Sequence, residues 1–354
     1  MTMKTTLLSI LLSISLFSFA QIPAGYYDDA IGLREDAMKL ALHNIIKAHT
    51  VVSYSSLHTH YQVTDKKPNG KVWDMYSDVP GGTPPYEFTF MTDKCGNYGK
   101  EGDCYNREHS FPQSWFNKAS PMKSDMFHVY PTDGYVNGKR SSYPYGEVSS
   151  PTWTSQNGSK LGSNTTPGYT GKVFEPIDEY KGDFARTYFY MATRYYTEDG
   201  SWDINDMMNK SQPKAWALSM LYQWHIQDTV SQKEIDRNNA VYGIQHNRNP
   251  FIDHPEWVDS IWFDDTSIEN LMENIFVDVY PNPAVNNIEI RINSPKVYHW
   301  EMEIYNMQGS MVSSTSFDKN SYNVDISNLS SGIYFIKLQS TDNKLLKSIK
   351  WIKQ

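Results

Sequence analysis

Cysteine is nearly absent from this 354-residue chain, which carries only Cys95 and Cys104. Two thiolates by themselves cannot build a structural zinc site. Long apolar runs are missing as well. After the N-terminal segment no stretch approaches the roughly 20 apolar residues that cross a bilayer, and the mean hydropathy is −0.58. Positive charge is not in excess: 32 Lys and Arg stand against 40 Asp and Glu, a net charge of −8. That balance argues against a protein that coats polyanions, since such proteins carry broad basic surfaces. It does not exclude a local site that touches a few phosphates with the help of a divalent cation.

With 39% hydrophobic and 14% aromatic residues, the chain can bury one large core or two smaller ones. The first twenty residues have the pattern of an export signal. Lys4 supplies a positive start, Leu7 to Phe19 are apolar apart from serines, and Ser18-Phe19-Ala20 offers a small-residue cleavage site. We therefore expect a signal peptide over residues 1–20 and no membrane span in the mature protein. Export to an oxidising compartment in turn predicts a Cys95–Cys104 disulfide closing a Gly-rich loop.

Apolar residues at Leu33, Ala37, Leu40, Ala41 and Ile45 predict a helix within Tyr27 to Lys47 that buries this face. Residues 50–180, rich in Gly, Pro, Ser, Asn and Tyr, read as short strands and long ordered loops. Helical spacing returns from Asp183 to Tyr196 and from Pro213 to Ile226, with Pro213 suited to a first helical position. Ser231 and Glu234 form a capping-box pattern opening a third helix. Beyond about residue 271 the texture becomes alternating, as in Ile288-Glu-Ile-Arg-Ile292 and Trp300-Glu-Met-Glu-Ile304, which predicts a small antiparallel β-sandwich.

Chemistry concentrates in Asn106-Arg-Glu-His-Ser-Phe-Pro112. A carboxylate can hold a hard divalent cation, and a neutral imidazole can take a proton from water, which together suit phosphodiester hydrolysis. An isolated Glu-His pair, however, is more often a surface charge beside a hydrogen-bonded histidine. In an extended strand the two side chains also point to opposite faces, so both reach one phosphate only at a twist, bulge or pocket edge.

The surrounding blocks decide between these readings. They are Asn106 to Phe116, Asp125-Met-Phe-His-Val-Tyr-Pro131, Val136-Asn-Gly-Lys-Arg-Ser141, Ala185-Arg-Thr-Tyr-Phe-Tyr-Met191 and Gln245-His-Asn-Arg-Asn-Pro-Phe251. In order and spacing this sequence closely resembles the bacterial endonuclease I family of periplasmic and extracellular nucleases, over roughly residues 25–260. The resemblance implies an α+β catalytic domain, residues 21–270, around a ββα-metal core with the histidine on a β-hairpin. It also implies a sequence-non-specific, one-metal endonuclease acting on DNA, RNA or both and leaving 5′-phosphates. Glu108 and Asn137 would ligate Mg²⁺, with Ca²⁺ or Mn²⁺ able to substitute, and His109 would be the general base. Thr132 or Asp133 can cap a short helix carrying Asn137.

Arg140 and Arg186 are candidates for phosphate contacts or for ion pairs that brace the fold. Asp125 and His128 read as residues supporting the site from behind rather than as ligands. Some members of the family carry a phosphate-stabilising arginine after the Glu-His block. Residues 117–125 here contain only Lys118 and Lys123, so that role is unassigned. His58 and His60 have a spacing that chelates zinc on a strand, but no suitable third ligand follows, and the Asn157-Gly-Ser159 sequon carries no functional reading here.

The terminal segment, with Val279-Tyr-Pro-Asn-Pro283, Tyr305-Asn-Met-Gln-Gly309 and Leu329-Ser-Ser-Gly-Ile-Tyr334, resembles the C-terminal sorting domain of the type IX secretion system. It implies a sorting module over residues 271–354, recognised by the secretion machinery, and a secreted or cell-surface protein exported through the periplasm. Two other readings stay open at this point. One is a non-catalytic surface adhesin or glycan-binding protein, suggested by the Tyr and Trp content. The other is a phosphodiesterase for small nucleotides.

Overall fold

The computed structural model describes residues 22–263, 276–293, 299–307, 309–340 and 346–354. The expected signal peptide and the boundary near residue 270 lie outside the described residues.

Helix α1 (Glu35–Ile46) is shorter than the periodicity predicts and is rotated from the face proposed for it. Gly32, at φ +76°, breaks the chain between a short 3₁₀ turn at Asp28–Ala30 and α1. The buried face is Met38, Leu42 and Ile46, whereas Leu33 and Leu40 are exposed. The reason is competition between two adjacent apolar stripes: the one carrying Met38, Leu42 and Ile46 fills the core against α4 (Lys181–Arg194). Full burial of each such side chain contributes about 1.5–3 kcal/mol.

The loop-rich region hides helix α2 (Leu57–Thr64), held by buried Leu57 and Tyr61. It then supplies strand β1 (Tyr105–His109), strand β2 (Val129–Asp133) and helix α3 (Gly134–Arg140). β1 and β2 form an antiparallel two-stranded sheet. They are not a tight hairpin, because residues 110–128 and two 3₁₀ turns intervene. A second sheet, β3 (Val148–Thr154), β4 (Lys160–Asn164) and β5 (Lys172–Glu175), has the order β3-β4-β5.

α4 runs through the core with every residue buried. Its polar members are tolerated because they are paired: Lys181 with Glu147 and Glu175, Asp183 with Lys233, and Arg186 with Glu234. A small pair, β6 (Met208–Asn209) and β7 (Gln212–Pro213), precedes α5 (Ala215–Gln227). Pro213 thus ends a strand instead of opening the helix, whose N-cap is Lys214. The capping box is present at α6 (Gln232–Gln245), where Ser231 and Glu234 bond each other's backbone N–H. α7 (Pro250–Asp253) and α8 (Trp257–Trp262) complete this region.

The C-terminal region is all β. β8 (Phe276–Tyr280), β9 (Asn287–Asn293) and β12 (Ser321–Asp325) form one sheet. β10 (Trp300–Asn306), β11 (Met311–Phe317), β13 (Gly332–Ser340) and β14 (Leu346–Lys353) form the other. Ile288, Ile290 and Ile292 from the first share a core with Trp300, Met302, Ile304, Ile336 and Leu338 from the second. This is the period-2 burial expected of a sandwich. The whole chain is therefore α+β with a small all-β module at its end, as expected. Among the described residues no helix is long and apolar enough to cross a membrane.

Candidate active site

The site grows from the β1-β2-α3 unit. In β1, alternation sends Asn106 and Glu108 toward α3 and sends Arg107 and His109 to the other face. The register pairs Glu108 with Tyr130 and His109 with Val129 without a bulge. α3 follows β2 with no intervening loop, because Asp133 serves as both strand end and N-cap. Its Oδ1 accepts the Val136 N–H at 2.8 Å.

Asp133 is held in turn by its neighbours. Its backbone N–H donates to Asp74 Oδ2 at 3.0 Å, and its own Oδ2 accepts the Gly102 N–H at 2.7 Å. Burial, reinforced by the Asp133 charge, pushes the Asp74 carboxyl up to about 8.

Gly102 belongs to the loop closed by the Cys95–Cys104 disulfide, whose Cα atoms lie 5.7 Å apart. The Cys104 carbonyl also accepts the Gly134 N–H at 2.9 Å. Tyr98, from the same loop, lies so close to α3 that a Cβ at Gly134 would meet its ring at 2.5 Å. The loop is thus a brace on the start of the Asn137 helix. Replacing both cysteines by serine is expected to lower unfolding free energy by about 2–3 kcal/mol on the loop-entropy model, read as a lower denaturation midpoint in urea.

Glu108 is buried, with 2% of its surface exposed. Its Oε1 accepts from the Tyr76 hydroxyl at 2.9 Å and pairs with Arg140 Nη1 at 3.2 Å. Burial raises its pKa, while Arg140 and Tyr76 oppose that rise. These contacts engage one carboxylate oxygen and leave Oε2 for another partner. Asn137 donates from its amide nitrogen to Asn106 Oδ1 at 2.8 Å and to the Arg107 carbonyl at 3.4 Å. That fixes the amide orientation and leaves Oδ1 as an acceptor.

Arg140, at i+3 from Asn137, sits beneath Glu108 and bonds the carbonyls of His109 at 2.9 Å and Ser110 at 2.6 Å. The donor set is therefore one carboxylate oxygen and one amide oxygen. Such a set fits a cation that keeps most positions for water and phosphate. Among the described residues no cluster of three or more His, Cys, Asp or Glu could hold a metal.

His109 is buried on the opposite face. Its Nε2 lies 3.0 Å from the Lys123 carbonyl, which can only accept, so Nε2 carries the proton and Nδ1 the free lone pair. Burial first, then the neighbouring His128 and the positive charges of Arg107 and Lys123, lower its pKa to about 3. The ring is neutral at physiological pH. Tyr54 stacks near it at 5.8 Å and 25°.

His128 lies 5.6 Å from His109, fully buried, with Nε2 on the Met122 carbonyl at 2.6 Å. Asp125 accepts from Tyr190 and Tyr195, both at 2.8 Å, and from Gln245 at 3.1 Å. Both residues lie in the packed layer that carries the 3₁₀ turns behind His109, away from the Glu108–Asn137 face.

Arg186 is elsewhere. It is fully buried on α4, with Nη2 bonding Glu234 at 2.9 Å and Nη1 bonding the Asp228 carbonyl at 2.8 Å. Its donors are consumed inside the protein, as are those that Arg140 directs at Glu108 and two carbonyls, so both arginines brace the fold rather than face a phosphate. Arg186→Ala is expected to destabilise the protein by about 3–5 kcal/mol, because Glu234 is left charged and unpaired in the interior. A chemical denaturation curve checks this.

His58 and His60 lie on α2 rather than on a strand. Two residues apart on a helix, they point to different sides, which removes the chelating geometry. Asn157 is buried, accepting from Ser155 at 2.7 Å and donating to the Met75 carbonyl at 3.2 Å, so its amide is engaged internally.

Several functional neighbours were not found from sequence. Asn106 could have been, since period-2 alternation places it on the face of Glu108. Tyr54, Tyr76 and Asp74 come from distant segments, and nothing local marks them.

The endonuclease I family profile matches residues 35–256, and a secretion system C-terminal sorting domain matches residues 278–353. An extracellular ribonuclease of Bacillus amyloliquefaciens is 39% identical over 245 residues, 67% of this chain and 78% of that one. The extracellular ribonuclease of Bacillus subtilis is 36% identical with the same coverage. An extracellular deoxyribonuclease of Aeromonas hydrophila is 23% identical over 241 residues, 61% of this chain and 86% of that one.

Proposed function

Since the chain belongs to the endonuclease I family and ends in a secretion sorting domain, we propose that this secreted nuclease is a one-metal phosphodiesterase that cuts inside nucleic acid chains. The observation that carries the reading is the opposed pair on β1. The imidazole has its Nε2–H tied to the Lys123 carbonyl and its Nδ1 free, beside a carboxylate and an amide with one uncommitted oxygen each.

In this reading Glu108 Oε2 and Asn137 Oδ1 would hold Mg²⁺, which would supply positive charge against the negative charge that develops on the phosphate. His109 Nδ1 takes the proton of the attacking water, and the Lys123 carbonyl holds the ring in the tautomer that can do so. Tyr76 and Arg140 position the Glu108 carboxylate, and Asn106 positions the Asn137 amide. In this reading the phosphate sits at the end of β1, where the strand stops at His109 and groups from both of its faces come within reach. The P–O3′ bond breaks as the water oxygen bonds to phosphorus, the leaving 3′ oxygen takes a proton from a second water, and the products are 5′-phosphate and 3′-hydroxyl ends.

Water as the nucleophile makes no use of a 2′-hydroxyl, so RNA and DNA are both substrates in this reading. The Bacillus relatives, ribonucleases by name, make RNA the first to try. The test incubates purified protein with single-stranded RNA and with plasmid DNA, in Mg²⁺ and then in EDTA. Cleavage that requires the metal, and that Asn137→Ala abolishes, supports the proposal. Turnover of neither polymer, or turnover indifferent to EDTA, overturns it and favours a binding protein or another phosphodiesterase.

A further inference from the structure

Arg107 is the residue of β1 that this mechanism leaves without a task. It shares a face with His109, two residues away, a separation of about 6.8 Å along an antiparallel strand. Its guanidinium carbon lies over the Tyr54 ring, 3.9 Å from the centroid, and Nη1 donates to the Tyr54 carbonyl at 2.9 Å. Tyr54 also stacks near His109, so one aromatic ring is shared by the general base and the cation. Lys123 Nζ approaches the same ring at 5.0 Å.

Among the described residues no carboxylate pairs with these charges. Buried arginines elsewhere in this domain are paired: Arg186 with Glu234, Arg237 with Asp65 and Arg248 with Asp253. Arg107 and Lys123 are in no ion pair among the described residues, although the chain as a whole carries −8. Arg107 is half-buried, and its Nε is a buried donor without a partner. A planar guanidinium pre-oriented on an aromatic ring, with donors to spare and no acid beside it, suits a phosphate that arrives from outside.

We infer that Arg107, seated on Tyr54 and assisted by Lys123, binds the phosphate next to the scissile one along the substrate strand. This rests on the reading of His109 as the base. The step of two strand residues from His109 to Arg107 is comparable to the repeat between neighbouring phosphates, and Tyr54 between them keeps Arg107 off the reacting group itself. The consequence is a substrate rule. Linkages flanked by a further phosphate are cut in preference to isolated ones, which is what separates a polymer-cutting enzyme from one acting on small nucleotides.

The experiment compares a dinucleoside monophosphate, with one phosphate, against two trinucleotides that carry a second phosphate on the 5′ or the 3′ side. Wild type and Arg107→Gln are assayed; glutamine retains a donor for the Tyr54 carbonyl while deleting the charge. Wild type is expected to favour one trinucleotide by at least about tenfold in kcat/KM, and Arg107→Gln to reduce that ratio by at least about fivefold.

Binding of an oligonucleotide in EDTA supplies a readout independent of turnover. The slope of log affinity against log salt is expected to fall by about 0.7 in Arg107→Gln, the value for one phosphate contact on a single strand. Tyr54→Leu, which keeps the charge but removes its platform, is expected to lower the ratio in the same direction. A wild type that cleaves all substrates alike, or a variant that keeps both ratio and slope, overturns this inference and leaves the nuclease reading standing. A wild type that cuts RNA but none of the three short substrates overturns this inference alone, and one that also cuts neither RNA nor plasmid overturns both.

Discussion

His109→Ala is expected to lower kcat for nucleic acid cleavage at least about a hundredfold, the usual cost of losing a general base, while the thermal transition remains cooperative. The side chain makes one hydrogen bond, to a backbone carbonyl that can turn to water when the ring is removed. Its loss therefore touches chemistry more than folding. Metal-dependent binding is expected to persist, because Glu108 and Asn137 are untouched.

The pH profile carries a second signature. Burial and nearby positive charge lower the His109 pKa to about 3, so the ring is already in its neutral, proton-accepting form across pH 5 to 8. Protonation begins only as pH falls toward that depressed value. The acid limb of kcat/KM, which reports the free enzyme, is accordingly expected well below the ordinary histidine value of about 6.5. An acid limb centred near 6.5 would mean that the imidazole is reached by solvent in the working enzyme, whereas His109→Ala with near wild-type kcat would exclude His109 as the base.

Arg140→Ala is expected to be strongly destabilising, on the scale of Arg186→Ala. The guanidinium is fully buried against Glu108 and holds the carbonyls of His109 and Ser110 in the turn that leaves β1. It also lies 4.7 Å from the Tyr145 ring centre. Removing it leaves a carboxylate in the interior without its counter-charge, a loss of about 3–5 kcal/mol. That is a large share of the roughly 5–15 kcal/mol that stabilises a typical folded protein.

The measurement is a urea midpoint, paired with activity per folded molecule. Arg140→Lys is expected to recover the charge but not the simultaneous grip on two carbonyls and a carboxylate, and so to fall between the two. A midpoint unchanged by Arg140→Ala would mean that Glu108 is stably neutral in the core, and that the ion pair contributes nothing.

The segments that carry the candidate site were legible in the sequence. The Glu-His step, Asn137 on a short helix capped by Thr132 or Asp133 (the structure uses Asp133), the Ser231 to Glu234 box and the alternating terminal strands are encoded over a few residues each. Spacing and side-chain type are enough to read them. Reading failed where two local solutions were nearly equal. Two apolar stripes ran along α1, and only the packing against α4 selected Met38, Leu42 and Ile46. Pro213 suited either a helix start or a strand end, and a two-residue pairing with Met208 took it. The α2 sequence is polar and short, so its helix depends on burying Leu57 and Tyr61 rather than on propensity.

What the sequence alone determined is the set of candidate groups, their order along the chain, and an α+β fold that ends in a sandwich. These follow from residue types at fixed short spacings. What only the tertiary structure decided is how those groups are held and which are available. Arg140 and Arg186 looked alike as cations near a phosphate site, yet burial turned both inward. Arg107 looked unremarkable and came to face His109 across Tyr54. The physical reason is that burial and charge pairing are properties of contacts between distant segments, such as Tyr76 with Glu108 or Glu234 with Arg186, and no short window of sequence contains both partners.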